Sequence, residues 1–212
     1  MSLKVTKLPT SVYVKEIDPD RFEVRVCDCL KRNVPDATNY FNLGFFAMEG
    51  SGKTVTIGNV VSDGEIISSA NANANWINVA NKSLSTIYVT NDEACGMLKT
   101  KYAHKIPDCT CAISGIPVVR NGAKISMNSI KTEGYFGNEL YNTWHGFLGI
   151  RDYKLVYVAA KCEYDQMYPL MMSLGIKNAI KLDGGGSFIL KEGDILQATS
   201  GNSRINSVGI WK

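Results

Sequence analysis

Asp165-Gln-Met-Tyr-Pro-Leu-Met-Met-Ser-Leu-Gly-Ile-Lys-Asn-Ala-Ile-Lys-Leu-Asp-Gly-Gly-Gly-Ser187 is the stretch on which the fold turns. Met167, Leu170, Met171 and Leu174 stand at i, i+3, i+4 and i+7, so one apolar stripe predicts a helix. Gly175 ends it as a C′ residue, Asp165 is read as its N-cap, and Pro169 then falls within the first turn. A strand over Asn178 to Leu182 follows, then a glycine turn, then a strand over Ser187 to Leu190.

Upstream, short runs rich in Val, Ile, Tyr and Phe alternate with turn residues. Strands are predicted at Ser11 to Ile17, Arg21 to Cys27, Tyr40 to Phe46, Thr54 to Val61, Glu65 to Ser68, Thr86 to Thr90, Ile116 to Val119, Phe147 to Ile150 and Leu155 to Ala160, with a last one at Ser207 to Trp211. The first two flank Asp18-Pro-Asp20 and read as a hairpin. Asp63-Gly64 and Asn121-Gly122 mark two tight turns. Many strands with one or two helices give an α+β fold, a mostly antiparallel or mixed β-sheet domain rather than alternating βαβ units. The chain's 212 residues suit a single domain, read as an N-terminal hairpin extension over 1–39 and a core over 40–212.

Twenty-three Lys and Arg against 20 Asp and Glu give 23 − 20 = +3, too small an excess for a surface that neutralises polymeric nucleic acid. No secretory signal is read in Met1 to Thr10, and the apolar run Leu155 to Ala160 is far shorter than the ~20 residues of a membrane span, so a soluble, cytoplasmic protein is expected. Asn71-Ala-Asn-Ala-Asn-Trp76 is read as a surface loop anchored by its tryptophan.

The six cysteines include two C-x-C pairs, Cys27 with Cys29 and Cys109 with Cys111, which lack the spacing of zinc knuckles. Each pair is read as two small apolar side chains on one strand face, all six as free thiols, with no metal site despite His104 nearby. Gly50-Ser-Gly-Lys-Thr54 is not a phosphate loop, because Ala47 stands where its first glycine belongs and a strand follows in place of a helix.

Leu182-Asp-Gly-Gly-Gly-Ser187 carries the chemistry. Three glycines lose entropy on ordering, so between two apolar strands they imply positive φ or close approach of a ligand. Successive amides of such a turn can converge on an anion. With Asp183 before it and Ser187 after it, the turn suits a phosphate next to a bond to be hydrolysed, or alternatively a tight structural turn with Asp183 bonding its own backbone.

Ser173 to Ser187 resembles the hallmark of the phosphodiester glycosidase family: helix, leucine-glycine, short strand, Leu-Asp-Gly-Gly-Gly-Ser. Phe41-Asn42-Leu43-Gly44-Phe45-Phe46 is similar to the family's early Asn-x-Gly-Phe-Phe strand, and Gly115 to Gly122 to its central Gly-x-Pro hairpin. Phe147-Leu-Gly-Ile150 stands at its Ala-x-Gly-Ile, and Arg204 near its C-terminal arginine. The chain departs where the family has Pro-Arg-Thr, since Trp144-His145-Gly146 puts a histidine in the arginine's place, and where it has Asp-Gly-Arg, since Ala159-Ala160-Lys161 stand there.

The resemblance implies a hydrolase that cleaves a glycosidic bond to a phosphate ester, in a sugar 1-phosphodiester or nucleotide-sugar-like substrate, with no cofactor and a divalent ion left open. Asp183 is then nucleophile, base or charge stabiliser; His145 and Arg204 add positive charge or proton transfer; Asn42 orients a sugar hydroxyl; Gly184, Gly185, Gly186 and Ser187 bind substrate. The alternative is a non-catalytic sponge on the same scaffold, as a phage would use, sequestering a sugar phosphate or nucleotide-like signal. Either way the partner is a small phosphorylated molecule.

Overall fold

The computed structural model describes residues 8–70, 81–135 and 141–212. The Asn71 to Trp76 tract and the first seven residues lie outside them. Three antiparallel sheets and a small ribbon make up the described chain.

The central sheet has the order β1 (Val12–Ile17), β14 (Lys154–Cys162), β13 (Thr143–Arg151), β15 (Asn178–Gly184), β11 (Ile116–Arg120) and β12 (Ala123–Lys124). A second sheet runs β7 (Glu65–Ser68), β6 (Val60–Ser62), β10 (Cys109–Ser114), β8 (Leu84–Thr90), β9 (Cys95–Thr100). A third runs β17 (Ile195–Ala198), β16 (Ile189–Glu192), β3 (Asn39–Asn42), β18 (Arg204–Trp211), β2 (Phe22–Leu30), and β4 (Phe46–Met48) pairs with β5 (Thr54–Thr56). Helices α1 (Met127–Thr132) and α2 (Tyr164–Ser173) complete the α+β architecture.

The run Leu155 to Ala160 is unbroken because both faces of the central sheet are covered. All six residues are fully buried; Val156, Val158 and Ala160 pack towards α2, while Leu155, Tyr157 and Ala159 pack towards the other sheets. Phe41 stacks on Tyr157 with ring centroids 3.8 Å apart and so ties the third sheet to the central one.

The predicted N-terminal hairpin does not form. Pro19–Arg21 makes a 3-10 turn, after which β2 leaves for the edge of the third sheet beside β18, while β1 pairs with β14 along six residues. Ile17 and Val24 are nevertheless buried in the same core, so the two strands share apolar packing while they pair with different sheets. Residues 12–30 are therefore structural edges of the domain and no appended extension.

The helix α2 follows the predicted stripe, with Met167, Leu170 and Met171 buried. Its N-cap is Glu163 in a capping box with Gln166, two residues before the predicted Asp165, so Pro169 sits inside the helix. Gly175, at φ +72°, closes it: its amide donates to Met172 O at 3.0 Å, and that of Ile176 to Met171 O at 2.9 Å. Both predicted tight turns have positive φ at each central residue, and Gly50 to Lys53 is the β4–β5 hairpin loop. The helix α1, capped by the Ser126 hydroxyl, has no predicted counterpart.

The six cysteines are free thiols. Both C-x-C pairs sit at bulges, Cys27 and Cys29 across Asp28 at φ +37° with their sulfurs 3.2 Å apart, Cys109 and Cys111 at a register shift against β8. Burial pushes the Cys27 and Cys111 thiols up to about 12. Among the described residues no cluster of His, Cys, Asp or Glu is placed to hold a metal ion, and no helix is long and apolar enough to cross a membrane.

Candidate active site

The end of β15 is held from several sides before the turn begins. Asp183 N donates to Leu43 O at 2.8 Å, and Asp183 O accepts from Asn42 Nδ2 at 2.8 Å. The other end of the Asn42 amide accepts from Ile189 N at 3.0 Å, so this buried side chain joins the strand entering the turn to the strand leaving it. Sequence reasoning gave Asn42 to a sugar hydroxyl; the structure gives it to the backbone around Asp183. The Asp183 carboxylate is half-buried and accepts from Gly184 N at 2.8 Å, which fixes it at the mouth of the turn.

The three glycines have three different reasons. A Cβ on Gly184 would lie 3.0 Å from Trp144 O and 3.2 Å from His145 Nδ1, so the fold needs the position empty. Gly185 has φ +56°, in the left-handed region. Gly186 is exposed, has no such angle, and a Cβ there would meet nothing within 4 Å. Nothing in the fold requires a glycine at 186, where the side-chain position opens on solvent.

The turn's carbonyls point into the protein. The Thr199 hydroxyl lies 2.8 Å from Gly185 O, and Gly186 O accepts from Ser203 Oγ and Lys31 Nζ, each at 2.7 Å. Across a planar trans peptide the N–H opposes the C=O, so the amides of Gly186 and Ser187 face away from these anchors. Ser187 is half-buried, and its hydroxyl has no partner among the described residues.

His145, on β13, pairs with Gly184 across the strands. It is 1% exposed, and its Nε2 lies 2.7 Å from Tyr141 O. A carbonyl only accepts, so Nε2 carries the proton in the neutral ring, and Nδ1 is a buried lone pair with no donor to it among the described residues. Burial, then the Lys181 ammonium, lowers the ring from the ordinary 6.5 to about 4, against the smaller pull of the Tyr141 and Cys162 carbonyls. Of the two expectations for position 145, positive charge or proton transfer, the lowered value speaks against the first, since it favours the neutral ring at neutral pH.

That neutrality has a measurable consequence for stability. With the folded value below the unfolded one, the unfolded chain binds a proton that the folded chain refuses between the two. The His145 contribution is fully present above about 6.5 and is lost as pH falls, reaching about 3 kcal/mol below the folded value. Denaturant unfolding of wild type and His145→Gln from pH 7.5 to 3.5 should show the steeper loss in wild type; parallel slopes would mean an ordinary, accessible ring.

Lys181 escaped the sequence reading. It faces Phe147 across β13, on the side of the sheet that carries His145, and is 1% exposed, with Nζ donating to Leu182 O at 2.9 Å and lying 5.1 Å from the Phe45 ring centre. The signal available was a lysine in the otherwise apolar run Ala179 to Leu182. Arg204 begins β18, where its guanidinium is taken up by Asp28, with Nη2 and Nε at 3.1 and 3.2 Å from Oδ1 and Nη2 3.0 Å from Asp28 O. The structure thus brings Asp183, His145, the three glycines and Ser187 together with Asn42 behind them, and commits Arg204 to a bulge in β2.

Residues 37–209 match the phosphodiester glycosidase family. No curated protein matches the chain. Among solved structures, the zebrafish N-acetylglucosamine-1-phosphodiester α-N-acetylglucosaminidase catalytic domain, auto-inhibited by its pro-peptide, aligns with a TM-score of 0.70 at 14% identity, covering 99% of this chain and 85% of that one. A putative exported protein of Burkholderia pseudomallei aligns at 0.65 and 11% identity, covering 94% and 73%, and a hypothetical protein of Synechocystis at 0.61 and 14%, covering 94% and 58%. At such identities the likeness is one of fold.

Proposed function

The chain belongs to the phosphodiester glycosidase family, and from that premise we propose that it hydrolyses the bond between an anomeric carbon and a phosphate ester, in a sugar 1-phosphodiester or a nucleotide-sugar-like molecule. The observation that carries this reading is the turn itself, in which a half-buried Asp183 carboxylate stands three residues before an exposed Gly186 whose side-chain position is open. In the proposed reaction water adds to the anomeric carbon, and the bond to the phosphate oxygen breaks with its electron pair leaving on the phosphate monoester. That leaving group is already acidic, so it needs less protonation than an ordinary alcohol, and one carboxylate opposing the oxocarbenium-like charge suffices. The amides of Gly186 and Ser187 supply donors for the phosphate, and the buried, neutral His145 packs beside Gly184 without bringing the charge of the family's arginine.

The same neutrality favours a second reading, a binding protein that holds its phosphorylated ligand without turning it over. Two measurements on the purified protein separate them. Release of phosphate monoester from p-nitrophenyl-phosphoryl sugars, monitored as product by mass spectrometry, supports hydrolysis. Native mass spectrometry showing an intact phosphorylated ligand, with no turnover in the first assay, supports sequestration.

A further inference from the structure

Lys31 follows the last residue of β2 and lies outside the residues that match the family. It is 0% exposed, and its ammonium reaches three neutral oxygens: Gly186 O at 2.7 Å, Thr199 Oγ1 at 3.0 Å and Thr199 O at 3.1 Å. All three N–H bonds of Nζ thus have acceptors, yet no carboxylate among the described residues is within ion-pair distance of it. The carboxylate of Asp28, three residues earlier, is taken by Arg204.

Removing an ammonium from water costs several kcal/mol even after relaxation, and neutral acceptors return only part of it. A neutral donor would close the same turn without that cost, so the hydrogen bonds alone give no reason for a lysine. The charge is what the fold does not need and an anion does. It lies behind the carbonyl of Gly186, while the amide of the same peptide faces outward.

We propose that Lys31 is a positioning residue for a phosphate ester bound at the Asp183 to Ser187 turn: behind a Gly186 carbonyl that Ser203 and Thr199 also hold, it leaves an uncompensated positive charge beneath the anion and so keeps the phosphate over the Gly186 and Ser187 amides. This rests on the reading of the turn given above. The groups facing the ammonium are neutral apart from Arg32 on its own segment; burial and then Arg32 hold it below the ordinary lysine range, and the Tyr40 hydroxyl donates to its backbone carbonyl at 3.1 Å. A bound phosphate must therefore raise its proton affinity.

The test uses inorganic phosphate as probe and the amide and lysine resonances of the whole protein in solution. In wild type, phosphate should shift the Gly185, Gly186 and Ser187 amides and raise the titration midpoint of Lys31 Nζ. Lys31→Met should bind phosphate about tenfold or more weakly, with its turn amides in their ligand-free places before phosphate is added, and Lys31→Arg should recover part of the affinity. Equal affinity in wild type and Lys31→Met overturns the role of Lys31 and leaves the turn as the anion site. Turn amides displaced in ligand-free Lys31→Met show a merely structural lysine and also overturn it. Absence of phosphate shifts at the turn of wild type overturns both this inference and the hydrolase reading. Should Lys31→Met not fold, the Lys31 Nζ midpoint in wild type decides: no change on saturation with phosphate overturns the proposal.

Discussion

Asp183→Asn is expected to lower kcat for activated sugar 1-phosphodiesters by about a hundredfold to a thousandfold and to shift the melting temperature by only a few degrees. Asparagine keeps the size of the side chain and an oxygen that can accept from Gly184 N, now 2.8 Å from Asp183 Oδ1. The links that anchor the position, to Leu43 O and from Asn42 Nδ2, run through the backbone and survive the change. What disappears is the negative charge that a cationic transition state requires. Ground-state affinity for the anionic substrate should stay or rise, because a like charge beside it is removed, so the loss should fall on kcat rather than on KM. Steady-state kinetics with a thermal melt on the same sample checks both halves. Turnover at the wild-type rate would remove Asp183 from the mechanism, and a collapsed melting curve would make it a structural residue.

The local chemistry of this chain was legible before its architecture. Asp63-Gly64 and Asn121-Gly122 announce left-handed pairs, and both adopt them, because positive φ is a property of the residues themselves. The strand pairings of β1 and β2 were not legible, since alternation tells which face is buried but not which partner buries it. The predicted Asp165 cap failed for a related reason: Glu163 and Gln166 form a reciprocal box that outweighs one favourable cap residue.

At the site, the split is between what glycine and aspartate reveal and what burial decides. The turn stood out because three glycines are costly without a purpose. The charge state of His145 did not, because a ring's titration depends on desolvation and on Lys181, a neighbour 36 positions away, neither of which a single sequence displays. Lys31 looks like an ordinary member of Leu30-Lys-Arg-Asn33, and only its tertiary contacts with Gly186 and Thr199, 155 and 168 positions away, take its ammonium out of water. Arg204 looked like a phosphate ligand, and Asp28, made available by a bulge, claims it.

Replacing the glycines of the turn one at a time is expected to separate what the fold needs from what a ligand needs. Gly184→Ala puts a Cβ 3.0 Å from the backbone oxygen of Trp144, which cannot swing aside as a side-chain tip can, so a stability loss of about 1–3 kcal/mol should follow. Gly185→Ala meets no neighbour but must hold φ +56°, a conformation that costs an L-residue about 1–2 kcal/mol. Gly186→Ala has neither burden, and it restricts the unfolded chain, so its stability should be unchanged or higher by about 0.5 kcal/mol. Its methyl group stands where the ligand is proposed to approach, and affinity for phosphate esters should fall by about tenfold to a hundredfold. The first two variants should therefore lose stability and binding together, whereas the third should lose binding alone. Chemical denaturation and calorimetric titration with a sugar 1-phosphate read the two quantities independently. A Gly186→Ala protein that binds as wild type does would mean that the space above residue 186 is unused, and the site would have to be sought on the His145 side of the turn.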